Sequence, residues 1–235
     1  MSFYHHETGG AACPIFPKKG PRAVILCDGP PPQPDVLAYW LGGADLFVCT
    51  DAAGHPYDQL PAPPDVVIGD FDALAGRLLA GRDGPMFLRV DEQETTDSEK
   101  AVLYALDQGL EEAVLLGAVG WRLDHTLYNT QLLERYADRM RLALAGQQAD
   151  GVRLAPGQSV SWSLDPGTGF SLVALAGPSR GVTLEGAEYP LLGGEVGPAG
   201  PSAISNAVAY DPLLIRNGDA PLLVLVDRDG PAAEG

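Results

Sequence analysis

Short apolar runs, each ending in a glycine or an aspartate, punctuate the first 145 residues. Residues 23–27 (Ala-Val-Ile-Leu-Cys) run into Asp28-Gly29, 46–50 into Asp51, 65–68 into Gly69-Asp70, 86–90 into Asp91 and 113–116 into Gly117. Runs of this length with little alternation read as strands buried on both faces. Between them lie segments that predict helices over 35–41, 97–108 and 124–137, and a last strand is expected over 141–145. Thr96 followed by Glu99 forms a Ser/Thr-x-x-Glu capping box at the start of the second helix. Strands alternating with helices predict a mostly parallel sheet in a Rossmann-like N-terminal α/β domain.

The pattern changes near 147–151. Further on, short runs recur between Gly/Pro turns at 152–155, 159–163, 170–176, 181–185, 203–209 and 222–227, with no good helix. This predicts a C-terminal antiparallel β-sandwich or barrel. The expected organisation is a loose tail over 1–20, an α/β domain over 21–147 and an all-β domain over 148–235. No internal repeat is seen.

Composition narrows the function. The 235 residues are 46% hydrophobic, so the chain is globular, and they carry a net charge of −16. That charge argues against nucleic acid or an anionic membrane as partner. Cys13, Cys27 and Cys49 are odd in number and widely spaced; Cys27 and Cys49 sit in apolar runs and read as buried structural thiols, and nothing suggests a zinc site. His5-His6 in the tail reads as a polar pair and not a metal site. No apolar run approaches 18 residues and no basic-then-apolar leader opens the sequence, so a cytoplasmic location is expected.

The chemistry gathers in three stretches. Gly69-Asp70-Phe71-Asp72 places two carboxylates at i, i+2 just past a strand. Such a pair can simply cap a turn. Here, however, Asp28, Asp51, Asp70 and Asp91 all end strands, and carboxylates crowded at one sheet edge persist best around a cation. Oxygen ligands of this kind favour Mg²⁺, which usually travels with phosphates. In the second stretch, Lys100 lies one turn beyond Thr96-Asp97. It is either a surface lysine paired to Glu99 or Thr96, or a phosphate ligand at a helix N-terminus. The third runs from Gly117 to Asn129 and holds two glycines, Arg122, Asp124 and His125. Arg122 can fork to a phosphate. Asp124 reads equally as an N-cap, Asn129 as a helix-surface amide and His125 as a core histidine.

Taken in order, these stretches resemble thiamine pyrophosphokinase. The matching residues are Gly69-Asp70-Phe71-Asp72, then Gln93-x-x-Thr96-Asp97-x-x-Lys100, then Gly117-x-x-Gly120-x-Arg122-x-Asp124-His125-Thr126-x-x-Asn129. Gly181-Val182-Thr183-Leu184-x-Gly186-x-x-Tyr189-Pro190-Leu191 and Ser205-Asn206 follow. The resemblance spans about residues 24 to 227. It implies an α/β catalytic domain, a β-sandwich domain and a homodimer whose active site lies near the subunit interface. It also implies transfer of the pyrophosphoryl group of ATP to the hydroxyl of thiamine, giving thiamine diphosphate and AMP. By position, it assigns Asp70, Asp72 and Asp97 to Mg²⁺, with Asp51 nearby, and Gln93, Thr96, Lys100 and Arg122 to ATP. Asp124, His125, Asn129, Ser205 and Asn206 fall to the thiamine side. The catalytic set would be Asp70, Asp72, Asp97, Lys100 and Arg122.

The chain departs from the family pattern at Ala52-Ala53 and Trp121, where glycines are usual, and at Ala73, where serine is usual. These departures bear on the nucleotide pose and the acceptor more than on the reaction class. Three rivals remain: a pyrophosphokinase acting on a hydroxymethylpterin, an Asp-x-Asp glycosyltransferase, and a non-catalytic thiamine- or nucleotide-binding regulator. The glycosyltransferase leaves the Arg122–Asn129 stretch without a role.

Overall fold

The computed structural model describes Cys13 and residues 15–50, 60–71 and 84–228. The chain divides into two compact units. One is Lys18–Gln147; the other joins the residues up to Pro17 with those from Gln148 onward.

The first unit is a parallel sheet with helices packed on it. Its strands are β1 (Arg22–Leu26), β2 (Leu46–Thr50), β3 (Val66–Gly69), β4 (Met86–Arg89), β5 (Glu112–Leu116) and β6 (Arg141–Ala145). Their order across the sheet is β6-β5-β1-β2-β3-β4, and every pair is parallel. β1 and β5 are buried at every position. This is why they read as continuous apolar runs without alternation. The helices are α1 (Pro34–Leu41), α2 (Asp97–Asp107) and α3 (Leu123–Arg135). α2 packs over β1, β2 and β3, and α3 over β6. From β1 the chain builds outward through β2, β3 and β4, then returns to place β5 and β6 on the other side of β1. The switch point thus lies between β1 and β5. In open parallel sheets, ligands bind in the crevice beyond the strand carboxyl ends at such a point.

The second unit contains β7 (Ala149–Leu154), β8 (Ser159–Trp162), β9 (Gly169–Ala174), β10 (Ser179–Glu185) and β11 (Leu191–Val196). It continues with β12 (Asn206–Ala207), β13 (Leu213–Arg216) and β14 (Leu222–Asp227). They form two antiparallel sets, β12-β9-β14-β7 and β11-β10-β13-β8. In β13, Leu213 and Ile215 are buried while Leu214 and Arg216 are exposed, the alternation of a half-buried strand. β11 and β13 have no counterpart in the sequence prediction. Gly193 and Gly194 break the apolar signal of β11, and β13 is only four residues long behind Pro212. Pairing to opposite edges of β10 supplies what local propensity lacks. The strand expected over 203–209 shortens to the two residues of β12. The described end of the expected tail also differs from expectation, because Cys13, Ile15 and Phe16 are 3–5% exposed. Their apolar surface is removed from water, which a loose tail would not achieve.

The capping box forms only in half. Thr96 Oγ1 accepts the Glu99 backbone N–H at 3.3 Å, but the Glu99 carboxylate does not return to the Thr96 backbone. Instead Glu99, 1% exposed, accepts hydrogen bonds from the Tyr128 and Tyr136 hydroxyls and pairs with Arg135 at 3.2 Å. Burial, with the Glu99 hydrogen bond second, pushes the Tyr136 phenol up to about 12. It therefore stays a donor across the physiological range. This cluster fastens the first turn of α2 to α3. Glu99→Ala should lower the unfolding free energy by about 1–3 kcal/mol for each hydroxyl left without its partner. Urea denaturation measures the loss.

Candidate active site

The carboxyl ends of β1 and β5 lie almost against each other. The Cys27 N–H donates to the Leu116 carbonyl at 2.8 Å, carrying the strand pairing one residue beyond β1. Both chains then turn away on glycine. Gly117 adopts φ +63°, and a Cβ there would stand 2.6 Å from the Cys27 carbonyl oxygen. Gly120 adopts φ +131°, and a Cβ there would stand 2.4 Å from Pro30 Cγ. Only glycine satisfies both the conformation and the space. The loop over 117–120 is also held from α3. Asn129, buried, donates its amide to the Ala118 carbonyl at 2.8 Å. Thr126 Oγ1 accepts the Gly120 N–H at 3.0 Å and donates to the Arg122 carbonyl at 2.9 Å.

A cleft of about 120 Å³ opens here, walled by Cys27–Gly29, Thr50, Asp97, Ser98, the 117–122 loop and the first turns of α3. It is large enough for a phosphate group. The N-terminus of α2 forms part of its wall, and a helix N-terminus favours anions. Thr50 Oγ1 is buried in that wall without a hydrogen-bond partner among the described residues.

Lys100 is not a surface lysine. It is 5% exposed and its Nζ donates to Asp97 Oδ1 at 3.0 Å. Asp97, Arg122, His125 and Asn129 share the cleft wall, and Lys100 joins them through Asp97. Arg122 stands as the N-cap residue of α3, which places Asp124 inside the first turn instead of at the cap. The two form an exposed ion pair at 2.6 Å, and the Arg122 hydrogen bond lowers the Asp124 carboxyl to about 2. Both are therefore ionised at neutral pH. Asn129 was readable as a helix-surface amide; it is a buried brace.

Asp70 follows β3 directly and accepts a long hydrogen bond from Gln93 Nε2 at 3.5 Å. Phe71 next to it adopts φ +61° while its ring is buried edge-to-face on Phe87, with centroids 5.8 Å apart. A left-handed bulky residue costs about 1–3 kcal/mol, and such strain concentrates at functional loops. Sequence reading carried no signal of it. Asp51 and Asp72 lie outside the described residues. Among the described residues, no three His, Cys, Asp or Glu side chains cluster closely enough to enclose a metal ion. Asp28 and Asp70, past the ends of β1 and β3, and Asp97, at the start of α2, are carboxylates, which suit Mg²⁺ over softer ions.

Ser205 and Asn206 belong to the second unit. Asn206 accepts the Tyr189 N–H at 3.0 Å and donates to the Tyr189 carbonyl at 2.8 Å. Its amide thus holds the turn before Pro190. Ser205 adopts φ +56°, and its N–H donates to Ser171 Oγ at 3.0 Å. Asn206 and Tyr189 also line a hollow with Leu184, Leu191, Glu195 and Ile204.

A parallel α/β unit with a glycine-shaped cleft at its switch point has that cleft where open α/β sheets bind their ligands. Residues 37–144 match the model of the thiamin pyrophosphokinase catalytic domain. Thiamine pyrophosphokinase 1 of Arabidopsis thaliana is 27% identical over 209 residues, covering 77% of each chain. Among solved structures, thiamine pyrophosphokinase from Bacillus subtilis superposes with a TM-score of 0.74 at 20% identity, covering 88% of this chain and 99% of that one. Yeast thiamin pyrophosphokinase gives 0.74 at 16% identity, covering 89% and 87%. These structural likenesses carry the fold. The family match falls within the α/β unit, which over most of its length is similar to a thiamin pyrophosphokinase catalytic domain.

Gly120→Ala should displace the 117–120 loop, at a strain of about 1–3 kcal/mol. Calorimetry with pyrophosphate as a bare phosphate probe should show binding weakened by about tenfold, since 1.4 kcal/mol is a factor of ten.

Proposed function

We propose that this chain transfers the pyrophosphoryl group of ATP to the hydroxyl of thiamine, giving thiamine diphosphate and AMP. The observation that carries this reading is the cleft between β1 and β5. Its glycine loop, the N-terminus of α2 and the Lys100–Asp97 pair converge where phosphates would lie, within the segment that matches the family. The six parallel strands read as a Rossmann-like catalytic domain and the two antiparallel sheets as one β-sandwich domain.

Catalysis of this kind is mainly positioning and charge stabilisation, with no covalent intermediate on the protein. Asp70 and Asp97, together with Asp72, would hold Mg²⁺, with Asp51 nearby. The ion would supply positive charge to the polyphosphate. Thr96, Gln93, Lys100 and Arg122 would hold ATP, the two cations offsetting charge on the transferred group. The thiamine hydroxyl oxygen bonds to the β-phosphorus as the bond from that phosphorus to the α,β-bridging oxygen breaks. AMP leaves with the electron pair. The hydroxyl proton passes to a carboxylate, for which Asp72 and Asp97 are the two candidates. Asp124, His125, Ser205 and Asn206 are assigned to the acceptor side, where an acidic group suits a cationic thiazolium. Asn129 acts on it by holding the loop.

We further infer a homodimer. Leu192, Ile204 and Tyr210 in the second unit are large apolar side chains left 59–90% exposed. Exposed apolar surface of this kind marks contact surfaces. Static light scattering at micromolar concentration should return twice the chain mass, and a fully active monomer would overturn the inference. No described helix is long and apolar enough to cross a membrane. The three free, buried cysteines fit a reducing cytoplasm.

The reaction is tested with ATP labelled at the β-phosphorus. The label should appear in thiamine diphosphate, with AMP as the nucleotide product. ADP as the stoichiometric product refutes the reading, and turnover with a hydroxymethylpterin but not thiamine reassigns the acceptor. Asp70→Asn and Asp97→Asn should each abolish turnover with the thermal melt unchanged. Near-wild-type rates at saturating Mg²⁺ would remove that residue from the metal site.

A further inference from the structure

Of the three tryptophans, Trp40 and Trp162 are buried, at 1% and 6% exposure, while Trp121 is 68% exposed. A lone exposed aromatic is common enough. The position of Trp121 is what matters, because it stands between Gly120 and Arg122 on the wall of the phosphate cleft. The backbone on both sides of it is fixed. Gly120 is held through its N–H by Thr126 and faces Pro30, and the Arg122 carbonyl accepts the Thr126 hydroxyl at 2.9 Å. The indole is therefore presented from a rigid base. Leu123 and Leu127, four residues apart on α3, are 71% and 57% exposed and extend the apolar rim.

The charges around it select what would cover it. Arg122 is paired with Asp124 and Asp97 with Lys100, which leaves Asp28 as the acidic side chain of the same wall with no ion pair among the described residues. An indole face beside carboxylates attracts a cation, and indole is the strongest aromatic partner for one. A neutral purine would gain the stacking area but not this attraction.

We propose that Trp121 is a specificity-determining residue, the platform on which the cationic aromatic ring of the acceptor stacks. The inference rests on the pyrophosphoryl-transfer reading above and adds to it the group that selects a charged acceptor over a neutral one. Preorganisation matters here, since the backbone that carries the indole is already held and only the side chain is ordered when the ring arrives.

The sole exposed indole makes the test direct. Acrylamide quenching of tryptophan fluorescence in the wild-type chain reads Trp121 against two buried fluorophores. Saturating thiamine should protect it, and a non-hydrolysable ATP analogue alone should not. The Trp121→Phe variant should lose the thiamine-dependent signal. Kinetically, Trp121→Ala should raise the KM for thiamine by about tenfold, with the KM for ATP within about twofold, and Trp121→Phe should recover most of the loss. Because the side chain is exposed, both variants should melt with the wild type. Protection by the ATP analogue and not by thiamine overturns the proposal, as does an unchanged thiamine KM in Trp121→Ala. Wild-type AMP release with thiamine in the same assay keeps the two readings apart. If it is present and Trp121 is indifferent, only the platform falls; if it is absent, both fall.

Discussion

The site depends on how closely two backbones meet past the ends of β1 and β5. A Cβ on Gly29 would stand 2.0 Å from the Gly117 carbonyl oxygen, so neither chain has room for a side chain there. Two parallel strands that are neighbours in space, but far apart in sequence, leave their following loops to diverge in opposite directions. The crevice between those loops exists because glycine lets them part so sharply. Everything else that can touch a phosphate is arranged around it: the N-terminus of α2, the Asp97–Lys100 pair and the loop over 117–122.

Buried polar side chains hold this arrangement. Glu99 ties the first turn of α2 to α3 through two tyrosines and Arg135, and Asn129 ties α3 to the Ala118 carbonyl. Both helices present their N-terminal turns to the same cleft, so each link fixes a set of contact groups and not only a packing interface. Leaving a buried carboxylate or amide unpartnered is costly. This favours the one arrangement in which both are satisfied.

The two non-glycine residues with positive φ among the described residues are Phe71 and Ser205. Each lies inside a stretch that sequence reading had already singled out for chemistry. Strained backbone is retained where the surrounding structure over-determines it. At Phe71 the buried ring against Phe87 supplies that constraint.

The sequence by itself determined the α/β character of the first 145 residues, because strands buried on both faces must be apolar throughout. It also determined the Thr96 cap, the strand-end carboxylates and the glycine loop, all of which are local. It missed β11 and β13, whose glycines and short length give little signal until β10 pairs with each of them. It did not show what Glu99, Lys100, Asn129 and Asn206 are bonded to. A polar residue's partner is chosen by whatever the fold brings near it, and spacing along the chain carries no record of Tyr136 beside Glu99 or Tyr189 beside Asn206. Periodicity reports which face is buried; only the tertiary structure decides what a buried polar group is bonded to.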